Sequence, residues 1–220
     1  MPKHKPIKFE TTLEPNLKKY LLRIIKENSK AKTTLNATLA LIATGGILTF
    51  GVAFPNVLGI IEKIRQRQKR ESYEEYRKIW YTFNKLKQKH NLEFLKEEED
   101  CLIYTVTENG KKKIKKFILD ELKISVPKNW DGNWRLVIFD IPENQRKIRD
   151  SLRNKLEDLN FYQCQKSVWV HPFPCIEEIE FLKDFFNIKP LVKIFLVKEM
   201  TDEKVLYYFK NLLKSAIIKQ

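Results

Sequence analysis

Cysteine and histidine are scarce: three of each occur in 220 residues, and Cys101, Cys164 and Cys175 form no C-x-x-C pair. This argues against zinc modules and disulfide frameworks and for a reducing, cytoplasmic setting. Glycine (6) and proline (9) are few as well, which excludes collagen-like and low-complexity chains. The first residues are charged throughout and carry no small-residue cleavage site, so no secretory signal is expected. Charge itself is missing in one place, since no Asp, Glu, Lys or Arg falls between Leu35 and Ile61.

That uncharged run has two readings. One is a membrane span, which needs about 20 apolar residues. The other is a pair of buried helices, roughly 35–49 and 55–69. Gly45, Gly46, Gly51, Gly59 and Pro55 interrupt it, and Thr38, Thr44 and Thr49 add polarity, so the buried pair is preferred and a membrane is not the expected partner.

What is present in excess is positive charge, 42 Lys and Arg against 28 Asp and Glu, or +14. Residues 1–32 hold 9 basic and 3 acidic residues and residues 62–90 hold 10 and 4, so these two segments supply +12 of the total. A polyanion, first of all nucleic acid, would be held by this half. With 43% hydrophobic and 12% aromatic residues the chain has enough apolar surface for a packed core.

Helical spacing of Leu17, Tyr20, Leu21, Ile24 and Ile25 after Pro15 predicts an amphipathic helix over 15–28. Residues 1–34 read as a basic N-terminal helical arm whose Lys3, Lys5, Lys8, Lys18, Lys19, Arg23 and Lys26 suit a backbone clamp, a membrane-surface helix or plain solvation. A third helix over 73–89 buries Tyr76, Ile79, Phe83 and Leu86, a hairpin uses 92–95 and 102–106, and another helix covers 111–122. Helix, helix, helix, hairpin, helix is the order of a winged helix-turn-helix, assigned to 35–126.

On the outer face of the third helix stand Arg77, Lys78, Tyr81, Asn84, Lys85 and Gln88. Arg pairs with guanine and Asn or Gln with adenine in the major groove, while lysines hold phosphates. Arg65, Arg67, Lys69 and Arg70 end the preceding helix, where cations suit both phosphate contact and the helix dipole. The hairpin tip, Glu97-Glu98-Glu99-Asp100, would repel phosphates, so the wing is not expected to lie along the duplex.

Residues 123–133 have a linker composition, with the boundary placed near 127. Beyond it, 134–141 predicts a central strand and Pro142 opens a helix to about 159. Residues 161–171 are β-rich, 175–186 helical and 191–198 a strand, and Thr201 caps a last helix. This β-α-β-β-α-β order makes 127–220 ferredoxin-like and the whole chain α+β. Asp140, ending the first of these strands, is expected to cap the following helix. His171 has no identifiable nucleophile to serve as a general base.

The runs Leu86–Lys96 and Ile103–Ile114 resemble those of bacterial and archaeal winged-helix regulators. The stretch from Trp130 to Pro172, with W-R-L-V-I-F-D-I-P, R-D-S-L-R and V-W-V-H-P, resembles the central domain of PaaX-type transcriptional regulators, which is itself similar to the small CRISPR-associated endonuclease, "Cas-two". The resemblance implies DNA-binding transcriptional repression, released in some members by a small acyl-coenzyme A ligand. The expectation is therefore a repressor that dimerises through the ferredoxin-like domain and binds double-stranded DNA, with no cofactor and no enzymatic activity; the effector, if any, is unknown. The alternative, also implied by the resemblance, is a metal-dependent nuclease in which Asp140 from two subunits holds a divalent cation such as Mg.

Overall fold

Ile7 and Phe9 alternate with Lys8 and Glu10, and the resulting short strand, β1 (Ile7–Glu10), buries its two apolar residues. It is followed by α1 (Pro15–Glu27), α2 (Thr34–Thr44), β2 (Ile47–Leu48), α3 (Lys69–Gln88), β3 (Leu92–Glu97), β4 (Leu102–Val106) and α4 (Glu108–Glu121). The structure, a computed structural model, describes residues 5–27, 34–48 and 69–217. It divides into Met1–Glu121 and Leu122–Gln220, a boundary a few residues before the one read from composition.

In the first unit the sheet order is β2-β1-β4-β3. β1 runs antiparallel to β2 and parallel to β4, while β3 and β4 form the expected hairpin with an irregularity between Phe94 and Lys96. The reading of residues 1–34 as a separate arm is corrected by this sheet. β1 lies inside it between β2 and the hairpin, and α1 buries Leu17, Tyr20, Leu21, Ile24 and Ile25 in the same unit. The apolar stripe of α1 thus faces a core rather than a polyanion or membrane, leaving its lysines on the rim.

The helix expected over 35–49 stops at Thr44, because Gly45 takes φ +68° and the chain turns into β2. The helix expected over 55–69 lies outside the described residues apart from Lys69, which begins α3. No helix among the described residues is long and apolar enough to cross a membrane.

The helix expected over 111–122 begins three residues earlier, at Glu108. The Thr107 hydroxyl accepts the Gly110 N–H at 3.1 Å and donates to the His90 carbonyl at 2.7 Å, capping α4 and tying it to the end of α3. A side chain at Gly110 has no room, since its Cβ would collide with the Asn91 carbonyl oxygen.

The second unit contains β5 (Trp134–Phe139), a 3₁₀ turn (Glu143–Gln145), α5 (Arg146–Asp158), β6 (Tyr162–Gln165), β7 (Val168–His171), α6 (Ile176–Phe185), β8 (Val192–Val197) and α7 (Glu203–Ile217). Its sheet order is β6-β7-β5-β8, every neighbouring pair antiparallel. This is the ferredoxin-like order, reached because each β-α-β crossover skips one strand position that the other crossover fills. Trp134, Val170, Val205 and Phe209 form a core between the sheet and α7.

Two terminal details differ from expectation. Pro142 is extended and introduces the 3₁₀ turn before α5. Asp202, not Thr201, caps α7, its Oδ1 accepting the Lys204 N–H at 2.9 Å.

Candidate nucleic-acid interface

α3 is held by an aromatic cluster on its inner face. Phe83 packs against Phe9, Trp80 and Tyr104 with ring centroids 6.1, 5.4 and 5.1 Å apart, and Leu86 is buried one turn on. Helical geometry then turns Arg77, Lys78, Tyr81, Lys85 and Gln88 outward, and all five are exposed, Tyr81 at 68%. Asn84 is half-buried, and its Nδ2 donates to the Trp80 carbonyl at 3.0 Å. Its amide is therefore partly engaged within the helix. Arg65 and Arg67 lie outside the described residues, as do the side chains of Lys69 and Arg70.

The β3–β4 tip carries the opposite charge, as its sequence requires. Glu97, Glu98, Glu99 and Asp100 are all exposed. Lys96 sits 2.9 Å from Glu98 and holds that carboxyl below its ordinary range. Cationic α3 and acidic hairpin tip thus give this unit two surfaces of opposite sign.

In the second unit the Trp130–Asn133 segment, read as linker, is fastened to the sheet. The Trp130 indole donates to the Pro172 carbonyl at 2.8 Å. Arg135, buried on β5, donates to that same carbonyl at 2.8 Å and pairs with Asp131. The Arg135 guanidinium, chiefly by hydrogen bonding, pulls the Asp131 carboxyl down to about 2. His171 is buried against Phe161, Phe173 and Phe209, and its Nδ1 accepts the Phe173 N–H at 3.1 Å. Burial pushes it down to about 4, so at neutral pH it is an uncharged core residue.

Asp140 is exposed just beyond β5, and its backbone N–H donates to the Leu191 carbonyl at 3.0 Å. The expected cap is not formed, since neither the 3₁₀ turn nor α5 has a side-chain cap hydrogen bond. The intervening extended Pro142 moves the helix start away from this carboxylate. Among the described residues no group of three or more His, Cys, Asp and Glu side chains converges. On α5, Asp150 takes both Arg146 (3.6 Å) and Arg153 (3.4 Å), and Arg149 pairs with Glu143 at 2.7 Å. These arginines are therefore partnered within the unit.

Residues 127–205 match the family described as the PaaX protein central Cas2-like domain. The match runs from just before β5 to the start of α7, so the second unit resembles the central domain of PaaX-type regulators. No curated protein matches the chain.

Proposed function

We propose that this protein is a PaaX-like transcriptional repressor that binds double-stranded DNA through α3. The observation that carries the reading is the outer face of that helix, where Arg77, Lys78, Tyr81, Lys85 and Gln88 are all exposed on an element fixed from behind by Phe83 and Leu86. Arg77 and Gln88 offer bidentate groups to base edges, with Asn84 between them, and Lys78 and Lys85 supply phosphate contacts. The order α2, β2, α3, β3, β4 is compatible with a winged helix-turn-helix, elaborated by β1 within the sheet. The acidic hairpin tip points to a wing that stays off the duplex.

Dimerisation belongs to the ferredoxin-like unit in this reading. Its support is β8, one of the two edge strands of the sheet, which leaves Phe195 and Leu196 exposed at 47% and 59%. Such an edge invites pairing with another strand unless something covers it. A two-fold dimer would present two copies of α3 to two half-sites.

The test is in-vitro selection of duplexes by the purified full chain, with a chelator present throughout. A recovered motif with two related half-sites is expected. Selection that enriches no sequence, or cleavage of the pool in a parallel reaction with Mg and no chelator that is lost in Asp140→Ala, would favour the nuclease alternative instead.

A further inference from the structure

Between α2, α3 and α4 lies a groove of about 370 Å³, within the range of small-molecule sites. Its floor is apolar: Leu39 and Ile42 from α2, Leu86 from α3 and Ile114 from α4 are all buried there. Its polar lining is lopsided. Lys85 and Lys89 from the end of α3 and Lys113 from α4 meet at the groove, all three exposed, and no carboxylate pairs with any of them among the described residues. The neighbouring Lys111 is by contrast paired with Glu108 at 2.8 Å. An apolar floor beneath three ammonium groups that no carboxylate among the described residues pairs with suits an organic anion with an apolar body and a carboxylate head.

We infer that this groove binds a small amphipathic carboxylate, its chain on Leu39, Ile42 and Ile114 and its head between Lys85, Lys89 and Lys113. Burying the chain removes apolar surface from water, and the lysines fix the orientation by charge-assisted hydrogen bonds. The groove also has a geometric link to the proposed reading helix, because Tyr81 and Lys85 line it while standing on the exposed face of α3. A bound carboxylate would draw Lys85 inward and neutralise it, so occupancy would weaken DNA binding. This coupling rests on the proposed DNA-binding function, whereas ligand binding itself does not.

Isothermal titration of the full chain with decanoate tests the site, with decanol and decyltrimethylammonium as neutral and cationic controls. Decanoate is expected to bind one-to-one and more tightly than either control. Lys113→Gln should weaken it about tenfold, the scale of one hydrogen bond to a charged group. Leu35→Trp, which narrows the mouth at a half-exposed position, should block binding while leaving the thermal unfolding midpoint in place. Decanoate binding no tighter than decanol, or unchanged in both variants, would overturn the site. If decanoate binds as described, its effect on DNA affinity is then read separately. Loss of DNA affinity in the wild type but not in Lys113→Gln supports the coupling, and unchanged affinity refutes the coupling while the site stands.

Discussion

Raising monovalent salt from about 50 to about 200 mM is expected to weaken binding of the protein to non-specific duplex DNA by roughly 10³- to 10⁵-fold, as for proteins making about six to ten phosphate contacts. The count comes from α3 and its end. Lys78, Lys85, Lys87 and Lys89 are exposed there, so the proposed dimer presents eight lysines, four from each protomer. Each phosphate neutralised releases condensed counterions, and this entropy gain shrinks as bulk salt rises. The double variant Lys78→Gln, Lys87→Gln removes four of the eight and should roughly halve the slope of log K against log salt. These two lysines lie outside the groove between α2, α3 and α4, which keeps that measurement separate from ligand binding. Binding that is insensitive to salt, or a slope unchanged in the double variant, would remove α3 from the phosphate contacts.

The second large effect is on stability. As pH falls from about 6.5 to about 4, the ferredoxin-like unit should lose on the order of 3 kcal/mol through His171 alone. The sign follows from proton counting. His171 is held to about 4 in the fold, mainly by burial and secondarily by the charge of Arg135, against 6.5 as the ordinary value. Between these values the unfolded chain binds a proton that the folded chain refuses, so acid favours unfolding and the loss is complete once pH is below about 4. Asp131 acts in a separate, lower window. Its carboxyl, drawn down to about 2 by Arg135, contributes stability present above 3.8 and lost as pH falls toward about 2. Urea midpoints at pH 7.5, 5.5 and 4.5 check this, with His171→Gln as the reference because Gln keeps an acceptor for the Phe173 N–H. The variant's midpoint should be flatter between pH 6.5 and 4; parallel curves would show that His171 is not the group titrating.

Much of this architecture was legible in the sequence because apolar residues repeat where single faces are buried. Tyr76, Ile79, Phe83 and Leu86 locate α3, and the W-R-L-V-I-F run locates β5, one of two strands flanked on both sides in its sheet. β1 was hidden by its surroundings. Ile7-Lys8-Phe9-Glu10 alternates properly, but four residues among lysines carry too little pattern to outweigh the charge, and their partner strand β4 is about 95 residues away. β2 is shorter still, and only the turn at Gly45 lets it form.

Site residues divide the same way. The outward set on α3 follows from helical periodicity, so five of its six members stand exposed, while Asn84 turns partly inward because its amide reaches the carbonyl one turn back. The groove formed by Leu39, Lys85 and Lys113 joins residues from three helices, and no local spacing announces it. Asp140 shows the converse limit. A carboxylate two residues before Pro142 looks like a helix cap, yet the extended proline and the 3₁₀ turn that follows put the helix start out of reach.

The central claim is that α3 reads DNA sequence, and binding titrations of Arg77→Ala on the selected site and on a scrambled duplex test it most directly. Arg77 is exposed, so its replacement should leave the fold intact. The account predicts a loss of about 1 to 3 kcal/mol on the selected site, relaxed preference at one base position and little change on the scrambled duplex. An equal loss on both duplexes, or no loss on either, would contradict it.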